Sequence, residues 1–377
     1  MSAIATDQLA GSLRIAPGRP CPHGLHSSRR DWASRLTVGM PAHDLAARLG
    51  SLYSLCGESH RLCARMALAK ANGESLDNPA QDAVALQQET LREHLRRICL
   101  DWPRQLAVPL EAAHAQSDMQ ALLRHSPLFQ SGALPASANG ALQHWLAADL
   151  LGMNPADWLQ RWERQHADWL SDWCAHTALP LPRLLQGCRD RLHRRLVHSA
   201  VLRVHASPDE LQQLTLDMEQ SPGFVLRPQW RAGSAETGSW SRLHETFEGA
   251  LTPWLRLGAR VAELVRLALP DRPDHSGAQW LSTGSVSTGP RTALAWVEMA
   301  RGLLVHHVRL DNSGERVQSC RVLAPTEWNF HASGSVAQAL ATLPQEVDAN
   351  VLRDVDGLVS AWDPCLSYEL NLESAHA

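Results

Sequence analysis

Gly302-Leu303-Leu304-Val305-His306-His307-Val308-Arg309-Leu310 is followed by Asp311-Asn312-Ser313-Gly314 and then by Val317-Gln318-Ser319-Cys320-Arg321-Val322-Leu323. Two apolar, β-branched runs around an Asp/Asn/Ser/Gly cluster read as strands joined by a turn. Residues 293–299 just upstream read as a further strand. Around this β element the pattern is helical. Residues 41–73 place Leu45, Leu49, Leu52, Leu55 and Leu62 at helical steps, with Asp44 as a cap and Asn72-Gly73 as a stop. Residues 81–99 put Val84, Leu91, Leu95 and Ile98 on one face. Trp158, Trp162, Trp169 and Trp173 form a stripe of indoles on another helix, read as packed core or interface. A last helix is expected over residues 351–362. Residues 1–36, broken by Pro17, Gly18, Pro20, Pro22 and Gly24, read as loop, and Gly284-Ser285-Val286-Ser287 as a small-residue turn. The expected class is α+β, a predominantly helical body with a small β element before the C-terminus. One domain over 1–377 is expected, made of a loop-rich segment 1–36, a helical body 37–280, the β element 281–330 and a C-terminal helical segment 331–377.

The chain has 377 residues, with 35 Lys+Arg against 39 Asp+Glu and 19 His, a formal net charge of −4. That balance points to no nucleic-acid partner and no basic membrane surface. Lys70 is the only lysine, which we read as genome composition. No run approaches about 18 apolar residues, so no membrane-spanning helix is expected. Residues 1–14 lack a basic start followed by an apolar run, so the expectation is a cytoplasmic chain with reduced thiols. Its eight cysteines then read as buried hydrophobes, ligands or reactive thiols. Cys21-Pro22-His23-Gly24-Leu25-His26 crowds three zinc-type ligands too closely for a structural site and reads as a polar loop. There is no Walker loop, dinucleotide fingerprint, nucleophile elbow or His-Glu-x-x-His.

Two cysteines have more telling flanks: Ser54-Leu55-Cys56-Gly57-Glu58-Ser59-His60-Arg61-Leu62-Cys63, and Trp362-Asp363-Pro364-Cys365-Leu366-Ser367-Tyr368. They resemble the large subunit of nickel–iron hydrogenases, where Cys-Gly-x-Cys-x-x-x-His and Asp-Pro-Cys-x-x-Cys-x-x-His hold the active centre. Four further segments follow the family in order. Glu236-Thr237-Gly238-Ser239-Trp240-Ser241-Arg242 is similar to its Gly-Pro-Leu-Ala-Arg, and Gly289-Pro290-Arg291-Thr292-Ala293-Leu294 to its Ala-Pro-Arg-Gly-Ala-Leu. Residues 305–310 resemble the strand that follows, and Pro325-Thr326-Glu327-Trp328-Asn329 its Pro-Thr-Thr-Trp-Asn.

The resemblance implies Cys56 and Cys365 as metal ligands at the first cysteine of each pair. The bridging positions fall on Ser59 and Tyr368, and the downstream histidines on Cys63 and Asn371. Oxygen ligands do not replace thiolates that bridge two soft metals. Arg14-Ile15-Ala16-Pro17-Gly18 resembles Arg-Ile-Glu-Gly without its carboxylate. The chain therefore resembles the HupK/HoxV type of hydrogenase maturation protein rather than a hydrogenase. The implied function is a non-catalytic scaffold or carrier for an iron–cyanide–carbonyl unit, Fe(CN)2CO, with nickel not expected. Pro290, Arg291 and Asp363 would line the pocket over the diatomic ligands. The implied partners are chaperones of the HypC/HypD type and the large-subunit precursor. A metal-free mimic that docks those chaperones is the alternative. A hydrogen-activating enzyme, with Cys63 as a third thiolate, is the remote one.

Asn371 stands where a maturation endopeptidase would otherwise read its histidine, leaving residues 372–377 beyond it. Intact mass from a maturation-competent cell should retain this tail.

Overall fold

A computed structural model describes residues 11–130, 138–197, 200–221, 223–231, 233–242, 251–272 and 275–371; the tail 372–377 lies outside these. A wholly buried helix, α4 (Pro253–Ala268), is central to the helical body. It follows α1 (Gly57–Asn72), α2 (Pro79–Arg96) and α3 (Pro155–His176). The C-terminal part adds the short α5 (Pro325–Asn329) and α6 (Ala349–Trp362). Helix starts follow local chemistry. Asn78 accepts from the Gln81 amide, Asn154 from Ala156 and Asp157, and each precedes a proline at the first helical position. Gly73, in the left-handed region at φ 76°, ends α1.

The β element is an antiparallel sheet, β3 (Thr283–Gly289), β4 (Thr292–Met299), β5 (Gly302–Leu310) and β6 (Val317–Leu323), in sequence order. Both faces are covered. Ala293, Ala295, Val297 and Val308 join the main core, while Leu294, Leu303, Val305 and Leu323 pack with Leu211 and Leu214 in a second cluster. That two-sided burial is why β4 and β5 read as near-continuous apolar runs. The sequence Gly284-Ser285-Val286-Ser287, expected as a turn, is instead part of the edge strand β3. Gly284 lies against the Trp296 indole, where a Cβ would come within 2.1 Å.

Three other expectations are corrected. The 41–73 helix is interrupted: a helix over Leu45–Leu52 gives way to a 3-10 turn, Ser54–Cys56, before α1. Segment 1–36 is not all loop, and residues 331–377 are not all helix. A three-stranded sheet pairs β1 (Ser12–Ile15) antiparallel to β2 (Leu25–Ser27) and parallel to β7 (Ser367–Leu370). Strands of three or four residues carry little local pattern. On α2 the buried apolar positions are Leu86, Leu91 and Leu95, with Ile98 in the following turn, while Val84 is exposed.

The tryptophan stripe is core. Trp158 stacks on Trp162 at 6.0 Å and meets Trp173 edge-on at 5.2 Å. Gly258 of α4 lets the two helices close, because a Cβ there would lie 2.7 Å from the Trp162 ring. Among the described residues no helix is long and apolar enough to cross a membrane. Trp162→Ala should cost about 3–5 kcal/mol, measured by chemical denaturation.

Candidate functional site

Cys56 and Cys365 come together beside Arg301 from opposite ends of the chain, each placed by a break in secondary structure. Cys56 sits at the N-cap of α1 with φ −141° and ψ 44°. Gly57 has no room for a side chain, since a Cβ would lie 2.9 Å from the Gly50 carbonyl oxygen. The carboxylate of Glu89 on α2 accepts from the Glu58 and Ser59 amides at 2.7 and 2.9 Å, and from the Ser59 hydroxyl. This holds the first turn of α1 next to the thiol. At the other end, Asp363 leaves α6 in the left-handed region at φ 52°, and Pro364 prevents the helix from continuing. Cys365 follows, its amide donating to Thr326 Oγ1 at 3.2 Å and its sulfur 3.1 Å from the same oxygen.

Guanidinium groups face both thiols. Arg29 Nη1 donates to Cys365 Sγ at 3.1 Å and to Glu327 Oε1 at 3.1 Å, and the group lies 5.5 Å over the Tyr53 ring. Arg301, at the β4–β5 turn, is 1% exposed; its Nη2 donates to Glu93 at 2.9 Å and its Nε is 3.6 Å from Asp363. Among the described residues neither its Nε nor its Nη1 has a hydrogen-bond partner. Burial pushes the Cys56 thiol well up. Arg301 opposes this, Cys365 and Glu89 add to it, and Arg29 opposes it again. Burial also works against the Asp363 carboxylate, but Arg97, Arg301 and Arg260 together hold it below the usual range. Arg97 Nε is 2.7 Å and Arg260 Nη1 2.9 Å from its oxygens. Beneath Arg29, Tyr53 stacks on His60 at 4.1 Å, and His60 Nδ1 is 3.0 Å from His306 Nε2. Burial keeps both histidines neutral, His306 pushed down to about 3.

The structure brings together Cys56, Cys365 and Asp363 from the sequence-derived set, and separates the rest. Cys63 lies seven residues along α1, roughly 10 Å of helical rise, and donates to the Ala295 carbonyl at 3.4 Å. It faces the sheet, not the pocket. Arg291 donates to Asn72 at 2.6 Å, at the far end of α1, about 24 Å from Cys56 by helix length. Pro290 beside it is exposed. Asp363 therefore orients Arg301, not Arg291. The expected bridging positions are occupied otherwise: Ser59 serves Glu89, and the Tyr368 hydroxyl donates to Asp356 at 2.5 Å.

Arg301 carried a legible signal. Met299-Ala300-Arg301-Gly302-Leu303-Leu304 keeps the Arg-Gly and final Leu of Ala-Pro-Arg-Gly-Ala-Leu, where Gly289-Pro290-Arg291 keeps the Pro-Arg. The glycine decides, because Gly302 stands at φ 127° with a Cβ position 2.5 Å from Thr237 Cγ2. Thr237 Oγ1 in turn accepts from the Leu303 amide at 2.9 Å, and Asn329 clasps the Thr237 backbone at 2.8 Å on both sides. Glu327, where the family pattern has its second threonine, was visible as a departure; its partner Arg29 had no signal.

No protein-family model matches the chain. It is 37% identical over 368 residues to the hydrogenase expression/formation protein HoxV of Cupriavidus necator, covering 96% of this chain and 95% of that protein. It is 26% identical to HupK of Rhizobium leguminosarum bv. viciae, with 96% of each covered. Among solved structures, the Ni-Fe-Se hydrogenase of Desulfovibrio vulgaris Hildenborough superposes with a TM-score of 0.54 at 13% identity, covering 94% of this chain and 93% of that one. An NAD+-reducing [NiFe]-hydrogenase superposes with a TM-score of 0.50 at 16% identity, over 90% and 91%. These likenesses show the fold.

The two site thiols should differ in reactivity. Cys365 is partly exposed, whereas Cys56 is 7% exposed with its thiol pushed up. Iodoacetamide at mildly alkaline pH should label Cys365 at least about tenfold faster than Cys56, read by peptide mass spectrometry.

Proposed function

Since the chain belongs to the HoxV/HupK family of hydrogenase expression/formation proteins, we propose that it acts in hydrogenase maturation as a non-catalytic carrier of the Fe(CN)2CO unit. The observation that supports this is the pairing of two largely buried thiols with guanidinium donors, one of which, Arg301 Nη1, has no hydrogen-bond partner among the described residues. Thiolates suit iron that carries strong-field ligands, and two of them with three diatomic ligands nearly fill its coordination sphere. Cys56 and Cys365 would be those thiolates. Arg301 would donate to an anionic cyanide, a charge-assisted bond worth about twice a neutral one. Asp363 fixes the orientation of that guanidinium.

Burial disfavours the free thiolate at Cys56, so its proton leaves only when a cation replaces it. Such a pocket retains its cargo by exchange rather than by standing charge. The expected partners are HypC/HypD-type chaperones on the supply side and the large-subunit precursor on the delivery side, in the cytoplasm.

The test is protein purified without oxygen from cells expressing the whole maturation set. Infrared spectra should show carbonyl and cyanide stretches, with about one iron per chain on this reading. Cys56→Ala and Cys365→Ala should each remove them at unchanged protein abundance. Arg301→Lys, which keeps charge without the guanidinium fork, should lower iron content several-fold. Full maturation with both cysteines replaced by alanine would overturn the carrier reading and favour the docking mimic.

A further inference from the structure

We propose that Arg29 is a specificity residue that closes the cysteine pair to bare divalent cations and leaves it to metal units that bring their own anionic ligands. This rests on Cys56 and Cys365 being a metal-binding pair, but not on what they carry. Two thiols facing one pocket are attractive to zinc, cobalt or nickel ions, which ordinarily complete a four-ligand shell from further side chains or water. Here the surroundings of Cys365 are already filled. Arg29 Nη1 lies 3.1 Å from its sulfur, and Thr326 Oγ1 is also 3.1 Å away.

Arg29 cannot swing aside. Glu327 holds its Nη1 at 3.1 Å, its backbone amide donates to Ser27 Oγ at 3.3 Å, the Tyr53 ring lies beneath it, and its side chain is 11% exposed. A guanidinium keeps its charge at any accessible pH, so a dication approaching Cys365 meets a fixed like charge. Nor does the protein offer a remedy. Among the described residues no three His, Cys, Asp or Glu side chains are grouped to hold an ion, and none of the carboxylates hydrogen-bonds to either thiol. A metal unit whose outer ligands are anionic reverses the sign of the encounter: its electron-rich ends accept from guanidinium N–H groups instead of being repelled.

Anaerobic cobalt(II) titration, followed by thiolate-to-cobalt charge-transfer absorption, tests this without any iron. The unmodified protein should show no thiolate–cobalt band at equimolar cobalt. Arg29→Met combined with Glu327→Gln removes both members of the ion pair, so neither buried charge is stranded. This variant should gain the band with at least about tenfold tighter binding, and lose it when Cys365→Ser is added. Circular dichroism and thermal melting report whether it folds; if it does not, Arg29→Gln, which keeps a neutral donor toward Glu327, takes its place. Equal cobalt binding by the unmodified protein and the variant overturns the proposal, as does a folded variant with no band. Either result leaves the infrared test of the iron unit standing, and failure of that test leaves the cobalt result standing.

Discussion

The Asp363 carboxylate is the constraint on which the pocket depends. It receives Arg97 from the turn after α2, Arg260 from the buried α4, and Arg301 from the β4–β5 turn. Each of these charges would cost several kcal/mol to bury alone; together they offset one another only if all four side chains are in place. The same residue ends α6, and the next but one is Cys365. Helix core, sheet turn and the Cys365 thiol are thus located by one carboxylate. Arg301 carries the constraint on to Glu93 of α2, the helix whose Glu89 fixes the turn at Cys56. Removing that carboxylate would take the shared partner from the buried Arg260 and Arg301 and from the partly exposed Arg97, leaving Arg301 with Glu93 alone, a larger disturbance than the loss of one hydrogen bond.

Much of this was legible in residue patterns where the signal is local. The β4, β5 and β6 strands announced themselves through apolar runs and a turn, and the indoles at helical spacing turned out to be core. Asp363-Pro364-Cys365 was legible because its chemistry is short-range: a residue tolerant of the left-handed region, then a helix breaker, then the ligand. What escaped was long-range. Arg291 and Arg301 are the same residue type ten positions apart, and only the backbone at Gly302 and its approach to Thr237 tells which one turns inward. Cys63 failed as a ligand because a helix carries side chains away from its own N-terminus. Arg29 sits in a proline-rich segment of very short strands, and the residues it meets, Glu327 and Cys365, lie about three hundred positions away, so no local pattern could announce it.

Two physical effects compete at Cys56, and the balance sets the character of the pocket. Burial favours the neutral thiol, while Arg301 and Arg29 favour the thiolate. Burial prevails, so the Cys56 thiol keeps its proton at rest, although charged guanidinium groups stand beside it. The buried, neutral His60–His306 pair fits the same logic, since it supports Tyr53 beneath Arg29 without adding a charge of its own.

The parallel pairing of β1 with β7 has a temporal side. Residues 12–15 cannot join their neighbour until residues 367–370 exist, and Cys365 lies just ahead of that last strand. On a growing chain emerging from the ribosome, Cys56 and Arg29 are therefore made early and wait, half of a pocket with no second wall. The pairing forms only after residues 367–370 have been made, so the order of synthesis leaves the two thiols apart on the growing chain.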